Sequence, residues 1–152
     1  QANVDYLKSR KTKDIKPFFK SLDSITKIWS KDSTFLYKPY AGDLEKFSNF
    51  PSLGRAKLDD AMFEATKFSN MLSNFEIESL KQITKAYNFQ YNLEEQHYMY
   101  AQRIAFINSK STNKDVKDLM WEIMQDYFGG QYKLIEVYNE TINHINNCLP
   151  PE

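Results

Sequence analysis

From Thr112 to Asn147 apolar side chains recur every three or four residues, and no other feature constrains the fold of this chain as strongly. Val116, Met120, Ile123, Tyr127, Leu134, Tyr138, Ile142 and Ile145 line one stripe. Leu119, Met124, Phe128 and Ile135 widen it into the face of a core helix. Thr112 followed by Asp115 is a capping-box-like start, pairing a side-chain oxygen with an orphan backbone donor and a carboxylate with the positive helix end. Pro150 and Pro151 cannot continue the helix, and Asn146 and Asn147 before them are weak helix formers.

Gly129 and Gly130 interrupt this pattern at its middle, where each glycine costs about 1 kcal/mol relative to alanine. Next to them Gln131 falls near the centre of the apolar arc, where a side-chain amide needs a partner. Two readings follow. One is a kink with a polar notch that receives a ligand or a partner's backbone. The other is a local break or close helix crossing with Gln131 satisfied by a neighbouring carbonyl.

A preceding helix begins near Phe75. Ile77, Leu80, Ile83, Tyr87 and Tyr91 form one stripe, whereas Leu93, His97, Tyr100, Ile104 and Ile107 define a face rotated from it by more than about 90°. The pattern predicts a break or kink between Asn88 and Asn92, and Asn92 with Glu95 repeats the capping spacing. Ser109–Ser111 is the turn into the last helix. Both irregularities lie about twenty residues from Lys110, so an antiparallel hairpin sets them at one level.

Earlier in the chain, Ile15, Phe18, Phe19, Leu22, Ile25 and Trp29 predict a first helix over 15–30, with Asp14 and Pro17 at its start. A second, over 56–73, has Leu58, Ala61, Met62, Ala65, Phe68 and Leu72 as its inner face and a small-residue strip at Ala61, Ala65 and Ser69. Between them, 33–54 interleaves Phe35, Tyr37, Tyr40, Phe47 and Phe50 with prolines and glycines, with Asp43 able to cap one turn through Phe47. This connector reads as a wrap over an open bundle end or as a lid. The expected fold is all-α: an antiparallel bundle of four to five helices, a long C-terminal hairpin with both arms kinked, and an aromatic-rich connector between helices 1 and 2. Its 10 Tyr and 11 Phe against 4 Gly fit a thick aromatic core with few tight turns.

Formal charge is zero, but Lys8, Arg10, Lys11, Lys13 and Lys16 face only Asp5 and Asp14 near the start, leaving the remainder about three charges negative. Residues 1–13 read as a flexible basic arm and 14–149 as one helical-bundle domain. Three arginines and no continuing cationic stripe disfavour nucleic acid as the partner. No run approaches the roughly 20 apolar residues that span a bilayer. Gln1, Ala2 and Asn3 without an initiator Met read as a mature end left by a signal peptide or as an edge from which an anchor was removed, so the reading leans to an exported protein.

Chemistry-bearing motifs are sparse. Glu94 and His97 have metal-ligand spacing, but the second Glu-x-x-His step of a di-metal bundle is missing: Glu140 and His144 stand four apart. These four residues define the alternative of a metal-dependent enzyme. Cys148, the single cysteine, has His144 one turn earlier, at a helix end poorly suited to hold a dyad. Tyr98, Met99, Phe106 and Tyr132 fall off the assigned stripes and suit a partner face or a pocket rim. The expectation is a non-catalytic helical binding or interaction module without a cofactor, whose partner is another protein. The alternative is a sensor-like domain binding a small apolar ligand near the kinks. Candidate binding residues are Gln131, Gly130, Tyr91, Tyr98, Tyr127 and Tyr132.

Overall fold

In the computed structural model, which describes residues 1–10, 15–40, 58–69 and 75–148, the predicted hairpin dominates. The described residues form six α-helical segments: α1 (Ala2–Arg10), α2 (Lys16–Trp29), α3 (Ala61–Phe68), α4 (Ile77–Ala105), α5 (Asn113–Glu122) and α6 (Gly129–Cys148). A π-helical turn, Ile123–Phe128, joins α5 to α6 into one long helix. The capping box closes as predicted: Thr112 Oγ1 accepts from the Asp115 amide at 3.2 Å, and Asp115 Oδ2 accepts from the Thr112 amide at 2.7 Å. Among the described residues no helix is long and apolar enough to cross a membrane.

α4 and α6 run antiparallel. Ser79 meets His144, Thr141 reaches the carbonyl of Gln82, Tyr138 bonds Gln90, Tyr100 bonds Asp126 and Arg103 pairs with Glu122, a single ladder along about 40 Å of helix. Their seam on α4 is Ser79, Ile83, Ala86, Gln90, Leu93, His97, Tyr100 and Ile104, alternating steps of four and three that Ile107 continues just past the helix end. This corrects the expected break: α4 passes through Asn88–Asn92 uninterrupted. The two sequence stripes meet different partners, although Ile77 at the start of the first is exposed. α6 lies on the seam, while Tyr87 stacks on Phe63 of α3 with centroids 4.0 Å apart, and Tyr91 donates to Glu64 at 2.6 Å.

The other arm keeps its irregularity, moved N-terminal of the glycines. Ile123, Tyr127 and Gln131 are all buried at two successive four-residue steps, which drift by about 80° in a regular α-helix. The π turn adds the extra residue per turn that holds all three against the core.

α3 is rotated from its expected face. Phe63 is buried, whereas Ala61, Ala65 and Ser69 are exposed and Phe68 is 87% exposed. The stack on Tyr87 and the Glu64 bond decide the rotation; one phenyl ring buries more apolar area than two alanine methyls. The expected ends of this helix, including Leu72, lie outside the described residues, as do Asp14, Pro150 and the Asp43–Phe47 turn.

Residues 2–10 are not the flexible arm read from their charge. Val4 and Leu7, each 1% exposed, and Arg10 turn one side of α1 into the core, and α1 packs along α6. Asn3 fastens it, with its amide Nδ2 donating to the Asp59 carbonyl at 2.9 Å and its Oδ1 accepting from the Asp59 amide at 2.8 Å. In the described part of the connector, Asp32 caps a 3-10 turn, Ser33–Tyr37. Asn113 then donates to the carbonyls of Phe35 and Lys38, and the Tyr40 amide donates to the Ser111 carbonyl, which lays this segment over the α4–α5 turn.

Candidate functional site

Gly130 of α6 leaves room for the Leu93 side chain of α4. A Cβ there would stand 2.8 Å from Leu93 Cδ1. Of the two readings of the glycine pair, the structure has the close crossing. Gln131 beside it is 1% exposed, and neither its Oε1 nor its Nε2 has a hydrogen-bond partner among the described residues. The Tyr127 hydroxyl is buried in the same condition, with His97 beside its ring at 5.7 Å between centroids. Burial raises the Tyr127 phenol above its ordinary pKa, while Arg10 and Gln131, close by but outside hydrogen-bond geometry to it, pull it back.

The six predicted binding residues therefore do not share a site. Gln131 and Tyr127 lie together with Arg10, and Gly130 provides clearance. Tyr91 faces the other way, bonded to Glu64, whose carboxyl that bond holds below its usual range. Tyr98, Met99 and Phe106 are exposed, as their place off the stripes predicts, while Tyr132 packs partly against the core.

Nor does the metal quartet assemble. His97 sits opposite Tyr127, whereas His144 sits opposite Ser79, about 27 Å away along α4 at 1.5 Å per residue. Among the described residues no group of three or more His, Cys, Asp or Glu is placed to hold a metal ion. His144 Nε2 lies 3.3 Å from Ser79 Oγ and 3.8 Å from Cys148 Sγ. Both contacts fall on one ring nitrogen, so they compete for it and make no relay.

A concave site lies elsewhere, in a pocket of about 380 Å³ between the start of α1, α3, the first half of α4 and the second half of α6. It exists because the α4 seam is small there: Ala86 stands where Leu93 and Tyr100 fill the next two equivalent positions. Val4, Phe63, Ile83, Tyr87 and Ile142 form much of its wall. Tyr138 supplies a hydroxyl that donates to Gln90 Oε1 and accepts from Asn3 Nδ2 at 3.3 Å; burial raises its pKa. Asp59 stands at the rim, its Oδ1 accepting from the Ala61 amide at 3.0 Å. The signal in the sequence is Ala86, a small residue in a seven-residue series that continues with Leu93 and Tyr100. Comparison with family models, curated proteins and solved structures finds no match to this chain.

Proposed function

We propose that the chain is a non-catalytic binding module that holds a small, mainly apolar molecule in the pocket between α1, α3, α4 and α6. The observation that carries this reading is the pocket itself: about 380 Å³ is within the size range of small-molecule sites, and its wall is largely aliphatic and aromatic. Its polar groups support binding rather than proton transfer. The Tyr138 hydroxyl is engaged by Gln90 and Asn3, and Asp59 holds the start of α3.

The test is titration with N-phenylnaphthylamine, a neutral dye that brightens on leaving water. Saturable one-to-one binding is expected, weakened about tenfold or more in Ile142→Trp, whose indole fills the pocket. Wild-type protein that shows no saturable binding would overturn the reading.

A second reading, a protein-docking face, is supported by Phe106 and Trp121, which are 77% and 54% exposed near the hairpin end. Substitution separates the two. Ile142→Trp removes dye binding and leaves that face intact, whereas Phe106→Ser with Trp121→Ser removes partner capture and leaves the dye bound.

A further inference from the structure

Four aromatic rings, Phe63, Phe75, Tyr87 and Tyr138, line the pocket, and the one charged side chain among its described lining residues is the carboxylate of Asp59. Their side chains include no lysine, arginine or histidine, and the one cationic group in the lining is the α-amino group of Gln1. Lys67, which lies over the Phe63 ring, is tied to Glu64 at 3.1 Å. Aromatic faces and a carboxylate favour the same kind of guest, because both present negative potential to a cation.

The rim is also preorganised. Asn3 fixes the Asp59 backbone through both its amide and its carbonyl, and the Ala61 amide fixes Oδ1. Oδ2 makes no hydrogen bond among the described residues and has lone pairs to offer. Asp59 and Asp60 both act on the Tyr87 phenol, raising its pKa further after burial has raised it, so negative potential reaches the aromatic wall.

From this arrangement we infer that the guest is an organic amine cation, with its apolar body among Val4, Ala86 and Ile142 and its ammonium at the rim against Asp59 Oδ2. The inference rests on the pocket reading above and adds a charge to it. The sign of that charge sets the specificity: an acid of the same length meets Asp59 as a like charge, and an alcohol forgoes the ionic contact.

The experiment is calorimetric titration of the full chain with hexylamine, hexanol and hexanoic acid at neutral pH, where the amine is protonated and the acid ionised. The amine is expected to bind about tenfold more tightly than the alcohol, with the acid weakest, and its advantage to shrink as salt is added. Asp59→Asn keeps the oxygen that caps α3 while removing the charge, and should bring amine and alcohol within about twofold of each other. Equal binding of amine and alcohol to the wild type overturns the inference and leaves the pocket reading standing. An amine preference that survives in Asp59→Asn overturns Asp59 as the recognition group. Failure of all three probes to bind overturns the pocket reading as well.

Discussion

Gly130 and Leu93 meet so closely across the α4–α6 crossing that a Cβ on the glycine would stand 2.8 Å from Leu93 Cδ1. Gly129, one residue earlier, has only the Met124 carbonyl oxygen near its Cβ position, at 4.0 Å. Its φ of −58° is ordinary for any helical residue. Gly129→Ala should therefore raise stability by about 1 kcal/mol through helix propensity alone. Gly130→Ala gains the same propensity against an overpacking cost of about 1–3 kcal/mol, for an expected net loss. Removing the obstructing methyl with Leu93→Val should make the double variant more stable than the sum of its parts. Urea denaturation of the wild type and the four variants checks this, and equal effects of the two glycine substitutions would remove the contact with Leu93 as the reason for Gly130.

What the sequence made legible was local and periodic. The Thr112 cap lies within four residues of its partners, and the stripe from Val116 to Ile145 needs only the helical repeat to be seen. The α4 seam was hidden because Ser79 and Gln90 occupy positions where an apolar stripe is sought, and following the remaining residues splits one continuous helix into two. The π turn left no such trace: Gln131 falls on the apolar arc at α-helical spacing too, so the periodicity does not call for an extra residue. α1 carries only Val4 and Leu7 in the core among charged neighbours, too little for a periodic signal. The pocket's one local signature is Ala86, since its walls come from four helices and only tertiary packing brings them together.

Leu7 is 1% exposed, and it distinguishes a docked α1 from a tail. Leu7→Ala should lower stability by about 3 kcal/mol, the usual scale for truncating a buried leucine. A change within about 0.5 kcal/mol, as for a solvated surface site, would mean that residues 2–10 do not pack on α6 in solution.

Gln131 buries an amide with neither end bonded among the described residues, a condition that costs about 1–3 kcal/mol. Gln131→Leu, close in volume, should therefore stabilise the protein by about 1 kcal/mol, and because Gln131 lies outside the pocket, dye binding should be unchanged. Loss of stability on this substitution would show that the amide is satisfied in solution, with an internal water as the natural partner. Loss of dye binding would return the ligand to the crossing.

Tyr127 and Tyr138 together fix how the fold should respond to alkali. Burial raises both phenols above the ordinary value of 10.0; Arg10 and Gln131 partly offset the rise at Tyr127, and Asn3 does so at Tyr138. The folded chain then holds these protons more tightly than the unfolded one. Their contribution is complete below pH 10 and is lost as pH climbs from there toward the folded values, at up to about 1.4 kcal/mol per pH unit for each group. Unfolding above pH 10 should accordingly release tyrosinate absorbance and helical ellipticity together. The two residues differ in what the hydroxyl does at neutral pH. Tyr138→Phe removes the bonds to Gln90 and Asn3 and should cost about 1 kcal/mol or more there, whereas the unbonded Tyr127 hydroxyl can be removed with little loss. Both substitutions should flatten the alkaline limb. Native protein whose Tyr127 and Tyr138 ionise near pH 10 with the helices intact would mean that the phenols reach water and that the core around the π turn is open.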